Sequence, residues 1–72
     1  MLERGVYQHY KNGLEYLLVG IGKHEETEED YVIYQALYGE RQIWIRALTV
    51  FVEHVEWDGQ MVSRYEWIRA AE

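Results

Sequence analysis

Residues 6–20, VYQHYKNGLEYLLVG, decide the fold. Asn12-Gly13 stands between two aromatic-containing runs, and this dipeptide is the strongest short-range signal for a two-residue hairpin turn. Residues 5–11 and 14–22 are therefore predicted to pair as antiparallel strands. Leu17-Leu18-Val19 is apolar on both faces, as expected of a strand covered on both sides. Glycines at 20 and 22 predict a bend or bulge, which the closure of a small barrel requires.

Outward from this hairpin, five of the six residues 25–30 are acidic, a solvated loop. Residues 31–38 are rich in β-branched and aromatic side chains and are predicted to form a strand. A turn over 39–42 leads to a strand over 43–48. Alternation puts Ile43, Ile45 and Ala47 on one face of it, and Trp44, Arg46 and Leu48 on the other. Thr49 is placed to cap a single helical turn over 50–52. Asp58-Gly59 marks a second hairpin, joining 53–57 to 60–68. The expectation is an all-β single domain over residues 1–72: a small SH3-like barrel of five or six short strands, which hides its sheet edges. The rival is an α+β fold in which residues 62–71 become a helix.

Seventy-two residues lie near the lower limit for independent folding. Ordering them costs roughly 1.5 kcal/mol per residue, so nearly every apolar side chain must be used. The chain is 49% hydrophobic and 15% aromatic, with seven tyrosines and three tryptophans that bring large area on few rotatable bonds. A tightly packed monomer, or a weak homo-oligomer, fits that composition. The net charge is −6, and the seven basic residues are scattered singly. A phosphate backbone finds little to hold, so nucleic acid is disfavoured. There is no cysteine, hence no disulfide and no thiolate metal site. No apolar run approaches a membrane span or the core of a signal peptide, so a cytoplasmic protein without a membrane partner is expected.

The pattern Gly5-x-Tyr7-x-His9-Tyr10-Lys11, then Tyr16, Gly20 and His24-x-Glu26-Thr27, resembles a family of short bacterial proteins, domain-of-unknown-function family 1653 (DUF1653). The likeness continues through Val32-x-Tyr34-x-Ala36-Leu37-Tyr38-Gly39, Trp44-x-Arg46-x-Leu48, Phe51-x-Glu53-x-Val55, and Asp58-Gly59 to Arg64-Tyr65. It covers nearly the whole chain with matching spacing. Members often carry proline where Ala47 and Ser63 stand here, which affects local turn geometry. The resemblance implies an unassigned function and supplies no mechanism.

His9 and His24 would approach each other if the first hairpin brought their strands together, and Glu26 would complete a His-His-carboxylate set. The spacing matches no local zinc signature, so each imidazole is read as satisfying backbone groups or capping a loop. His54 alternates to the face of Glu56 and is read as solvent-facing. The acidic run lacks the spaced ligands and central glycine of a calcium loop. Neither metal nor cofactor is expected. With no cysteine, one serine and no Gly-rich phosphate loop, an enzyme is disfavoured; the alternative is a small enzyme or ligand-sensing domain using His9, His24 and a carboxylate.

Trp44 and Arg46 share a strand face. Packing is the preferred reading for Arg46, paired with Glu53 and stacked on an aromatic ring. Recognition is the reading that names a face, since Trp, Tyr and Arg dominate interface energetics. The expected function is a noncatalytic binding or interaction module for an unknown protein or small ligand. Its candidate residues are Trp44, Arg46 and Tyr34, with Tyr7, His9 and His24.

Overall fold

The computed structural model describes residues 2–71. Its elements, in chain order, are β1 (Val6–His9), β2 (Glu15–Lys23), β3 (Asp30–Ala36), β4 (Ile43–Ala47), α1 (Leu48–Phe51), β5 (His54–Trp57), β6 (Gln60–Ser63) and β7 (Tyr65–Arg69). The fold is all-β apart from one helical turn. Five strands make an antiparallel sheet in the order β4-β3-β2-β1-β7, and β5-β6 form a separate hairpin.

The two glycine turns differ in build. Asp58 and Gly59 have φ values of 55° and 80°, and Trp57 pairs with Gln60 across them. This is the mirror-image two-residue turn that matches strand twist. Asn12-Gly13 instead closes a four-residue loop: the His9 N–H donates to the Leu14 carbonyl at 3.0 Å and the Gly13 N–H to the His9 carbonyl at 3.0 Å. The loop is longer than expected because Tyr10 leaves the ladder. Its N–H donates to the Arg64 carbonyl at 3.1 Å, and its ring meets Trp57 edge-on at 5.3 Å.

The expected bulge lies in β2, where pairing to β3 shifts between Leu18 and Gly20 and leaves Val19 as the extra residue. Beyond it the faces exchange, so Ile21 rather than Gly20 falls opposite Val32.

Three expectations are corrected. The predicted strand over 60–68 is two strands, making seven in all among the described residues. Arg64 is the hinge: its N–H donates to the Glu53 carbonyl at 3.0 Å, while its own carbonyl receives Tyr10. The chain thereby exchanges β5 for β1 as partner. The same β7 rules out the helix over 62–71. Finally, the sheet is open, with β4 and β7 as its edges, so the SH3-like barrel does not close among the described residues. The physical reason is α1, which follows β4 directly and drops Phe51 into the concave face. The sheet curls around that plug instead of meeting edge to edge. The helical turn also starts one residue before the expected cap, with Ala47 rather than Thr49 at its N-cap and no side-chain capping bond.

The core is aromatic. Tyr7, Tyr16, Tyr34, Phe51 and Tyr65 are buried together with Val32 and Ala36. Phe51 stacks on Tyr65 with centroids 4.3 Å apart and planes 3° from parallel, and meets Tyr34 and Tyr7 edge-on at 5.3 and 5.5 Å. Such pairs contribute about 0.5–1.5 kcal/mol each beyond area burial.

Candidate functional site

Three of these rings, Tyr16, Tyr34 and Tyr65, also rim a cavity of ≈ 250 Å³ on the concave face. The β3–β4 register sets Trp44 opposite Tyr34 and Arg46 opposite Val32, so Trp44 and Arg46 point to this side. Tyr16 arrives from β2 and Tyr65 from β7, with His9, Asn12 and Tyr38 completing the lining.

The polar ends of these side chains converge. The Tyr16 and Tyr38 hydroxyls are 2.6 Å apart, and the Tyr65 hydroxyl donates to that of Tyr34 at 3.4 Å. Burial pushes the Tyr16 phenol pKa up, and the bond to Tyr38 adds to it. Burial likewise raises Tyr65, followed by its bond to Tyr34. Both remain phenols at neutral pH. The Arg46 guanidinium lies 6.0 Å from the Tyr65 ring centroid. The Tyr34 hydroxyl is the largest influence holding it charged, against a smaller opposing effect of burial. Ion pairs among the described residues join Lys23 to Asp30, Arg64 to Glu53 and Arg69 to Glu15; none involves Arg46. Arg64 therefore takes the Glu53 carboxylate, at 2.7 Å, that the sequence assigned to Arg46. The stacking of Arg46 on a ring is as expected.

His9 lies at the rim, stacked on Tyr10 and edge-on to Tyr65, both at 5.0 Å. Its Nδ1 accepts the Lys11 N–H at 3.1 Å. Burial lowers its pKa, and Arg46, Arg64 and Lys11 lower it further, so the imidazole is neutral at pH 7. Three of the seven basic residues thus gather where the sequence shows only scattered single charges.

The other candidates lie elsewhere. His24 is exposed at the far end of β2, whose nine residues put it roughly 30 Å from His9 at ~3.3 Å per residue. Its Nδ1 accepts the Glu26 and Thr27 N–H groups at 3.2 and 3.3 Å, capping the acidic loop. Among the described residues no cluster of three His, Asp or Glu is arranged to hold a metal. Tyr7 is buried against Phe51, with its hydroxyl donating to the Glu3 carbonyl, and does not line the cavity. His54 is exposed. Larger depressions of ≈ 480 and ≈ 510 Å³ lie beside the β5–β6 hairpin and beside the β2 bulge. Neither brings hydroxyls and a guanidinium together.

Tyr16, Tyr38, Tyr65 and Asn12 were missed by sequence reasoning. One signal was present: seven tyrosines against one phenylalanine. A core this rich in phenols has hydroxyls to place, and here four of them meet.

Fold and cavity together define a small antiparallel β-sheet protein with an aromatic, arginine-centred concave site. By sequence the chain belongs to the family described as protein of unknown function (DUF1653), which matches residues 5–67. It is similar to a protein of that family from Bordetella bronchiseptica, solved by crystallography, at 30% identity and a TM-score of 0.86, over 99% of this chain and 92% of that one. A search of curated proteins finds no match. No helix among the described residues is long and apolar enough to cross a membrane.

Proposed function

We propose that this domain is a noncatalytic binding module whose concave site holds a carboxylate, carried by a small ligand or by a partner protein in the cytoplasm. The observation that carries the reading is Arg46. Its guanidinium faces a cavity with no acid in the lining, held by Tyr34 and Tyr65. A planar fork of donors fixed in this way suits a carboxylate, and the phenols supply further donors. Half-exposed Trp44 forms an apolar wall beside it. A cavity of ≈ 250 Å³ admits one side chain or a small acid, not a drug-sized molecule.

The rival reading needs His9, His24 and a carboxylate in one place. The two histidines are at opposite ends of β2, and no carboxylate lines the cavity, so binding is preferred.

The test is an NMR titration of the intact protein with N-acetyl amino acids, their C-terminal amides, and a short peptide ending in a free carboxylate. The expected result is saturable shifts at His9, Tyr34 and the Arg46 side chain with the carboxylates alone. A peptide binding more tightly than the single residue would point to a protein partner. Equal shifts from acids and amides, or none from either, would refute the reading.

A further inference from the structure

The sheet leaves β4 bare, and the strand is complementary to itself. The Ala36 N–H donates to the Gln42 carbonyl at 2.9 Å, and the ladder continues through Gln35–Ile43 and Tyr34–Trp44. In an antiparallel ladder, hydrogen-bonded and non-hydrogen-bonded pairs alternate. Gln42, Trp44 and Arg46 therefore turn their backbone groups toward β3. Ile43, Ile45 and Ala47 turn theirs outward. The side chains along this edge are exposed too: Ile43 by 52%, Trp44 by 50% and Ile45 by 65%.

Proteins usually guard such an edge with lysine, proline, a bulge or charge. The opposite edge, β7, carries Glu66 and Arg69. β4 has no register shift against β3, and its single charge, Arg46, points into the concave face. Residues 41–52 form the longest acid-free run in a chain with thirteen acids. At a net charge of −6, two copies repel over most of their surface, and this segment is where they meet without opposing carboxylates.

We propose that two copies of this chain pair antiparallel through β4 about a two-fold axis at Ile45, joining their sheets. In that register Ile45 faces Ile45 as a hydrogen-bonded pair, and Ile43 faces Ala47, so the outward backbone groups of both edges are used. Trp44 of one copy falls opposite Arg46 of the other, as a non-hydrogen-bonded pair whose side chains approach closely. The indole then lies beside the guanidinium that fronts the cavity, an arrangement favourable to cation–π contact. The second copy thus adds a wall to the concave site. Two five-residue edges bury less than the roughly 1,200 Å² at which stable complexes begin, so the dimer depends on concentration.

Sedimentation equilibrium of the intact protein from low micromolar to millimolar tests this. Wild type is expected to pass from monomer to dimer. Ile45→Lys should remain monomeric throughout, with an unchanged circular dichroism spectrum. Met61→Lys, equally exposed at 66% but on the β5–β6 hairpin, should dimerise as wild type does. In wild type the Ile45 amide should also exchange more slowly with solvent as concentration rises, a measurement that stands even if a variant misfolds. A wild type that stays monomeric, a dimer that survives Ile45→Lys, loss of the dimer in folded Met61→Lys, or concentration-independent exchange at Ile45 would each overturn the proposal.

Discussion

Replacing Phe51 with alanine tests the packing on which the cavity rests. Phe51 is 1% exposed and stands on a helical turn of only four residues, which has no side-chain cap of its own. A phenylalanine-to-alanine change at such a site costs about 3–5 kcal/mol, including the cavity left behind. Three aromatic contacts, to Tyr65, Tyr34 and Tyr7, place the value at the upper end. At ~0.05–0.15 kcal/mol per residue, a domain of this size holds about 4–11 kcal/mol in total. The variant therefore loses a large share of its stability, and the weaker part of that range leaves it unfolded. Phe51→Leu keeps most of the volume and should cost about 1–2 kcal/mol. Urea titration followed by far-ultraviolet circular dichroism measures both. If alanine costs less than about 1.5 kcal/mol, Phe51 is no plug, and the account of why the sheet curls without closing is wrong.

Two further perturbations address the strand junctions and the site. Gly5 has φ +138°, and a Cβ there would stand 2.3 Å from the Arg69 carbonyl oxygen and 2.6 Å from Trp67 Nε1. Gly5→Ala should cost about 2–4 kcal/mol in the same urea assay, from backbone strain and the forced separation of β1 and β7; Gly39→Ala, where a Cβ meets nothing, should cost less. His9 has its pKa lowered below the ordinary 6.5, so the unfolded chain takes up a proton that the folded protein resists. Stability is full above pH ~6.5 and falls as pH drops from there to the folded pKa, and His9→Gln should remove that component of the pH dependence. A chemical-shift titration giving His9 a pKa above 6.5 would contradict the burial and charge described for it.

How much of this was legible in the sequence depended on the range of the interaction. Asp58-Gly59 specifies its turn locally, because both residues accept positive φ. The β2 bulge followed from Gly20 and Gly22, and the shared face of Trp44 and Arg46 from strand alternation. The four-residue loop at Asn12-Gly13 was not visible, because its cause is Tyr10 bonding to Arg64, fifty-four residues away in sequence by their numbers. The division of β6 from β7 has the same origin. Barrel closure was inferred from the general need to hide sheet edges, and Phe51 in α1 satisfies the concave face without it. The site was half legible for the same reason. Tyr34, Trp44 and Arg46 come from neighbouring strands, whereas His9 and Tyr65 meet only through the β1–β7 pairing. The local concentration of Lys11, Arg46 and Arg64 around His9 needs that pairing as well.

Core and site in this protein are made from the same side chains. The rings of Tyr16, Tyr34 and Tyr65 pack edge-on against one another at 5.4–5.7 Å, and this packing places their hydroxyls at the cavity. Phenylalanine would serve the ring contacts equally well, but it would leave the Arg46 guanidinium facing apolar edges. Burying a charge against such edges without a polar partner is costly. The tyrosines therefore answer a requirement that Arg46 creates, and Arg46 is itself more than packing would ask for at that position of β4. A methionine or leucine would cover the Tyr65 ring without needing a hydroxyl nearby. An arginine kept charged, supplied with phenols and left without a carboxylate among the cavity's lining is the arrangement on which the proposed carboxylate binding rests. On an acidic chain the proposed carboxylate would gain nothing from long-range attraction, so under that proposal its affinity comes from the short-range fit of fork and phenols.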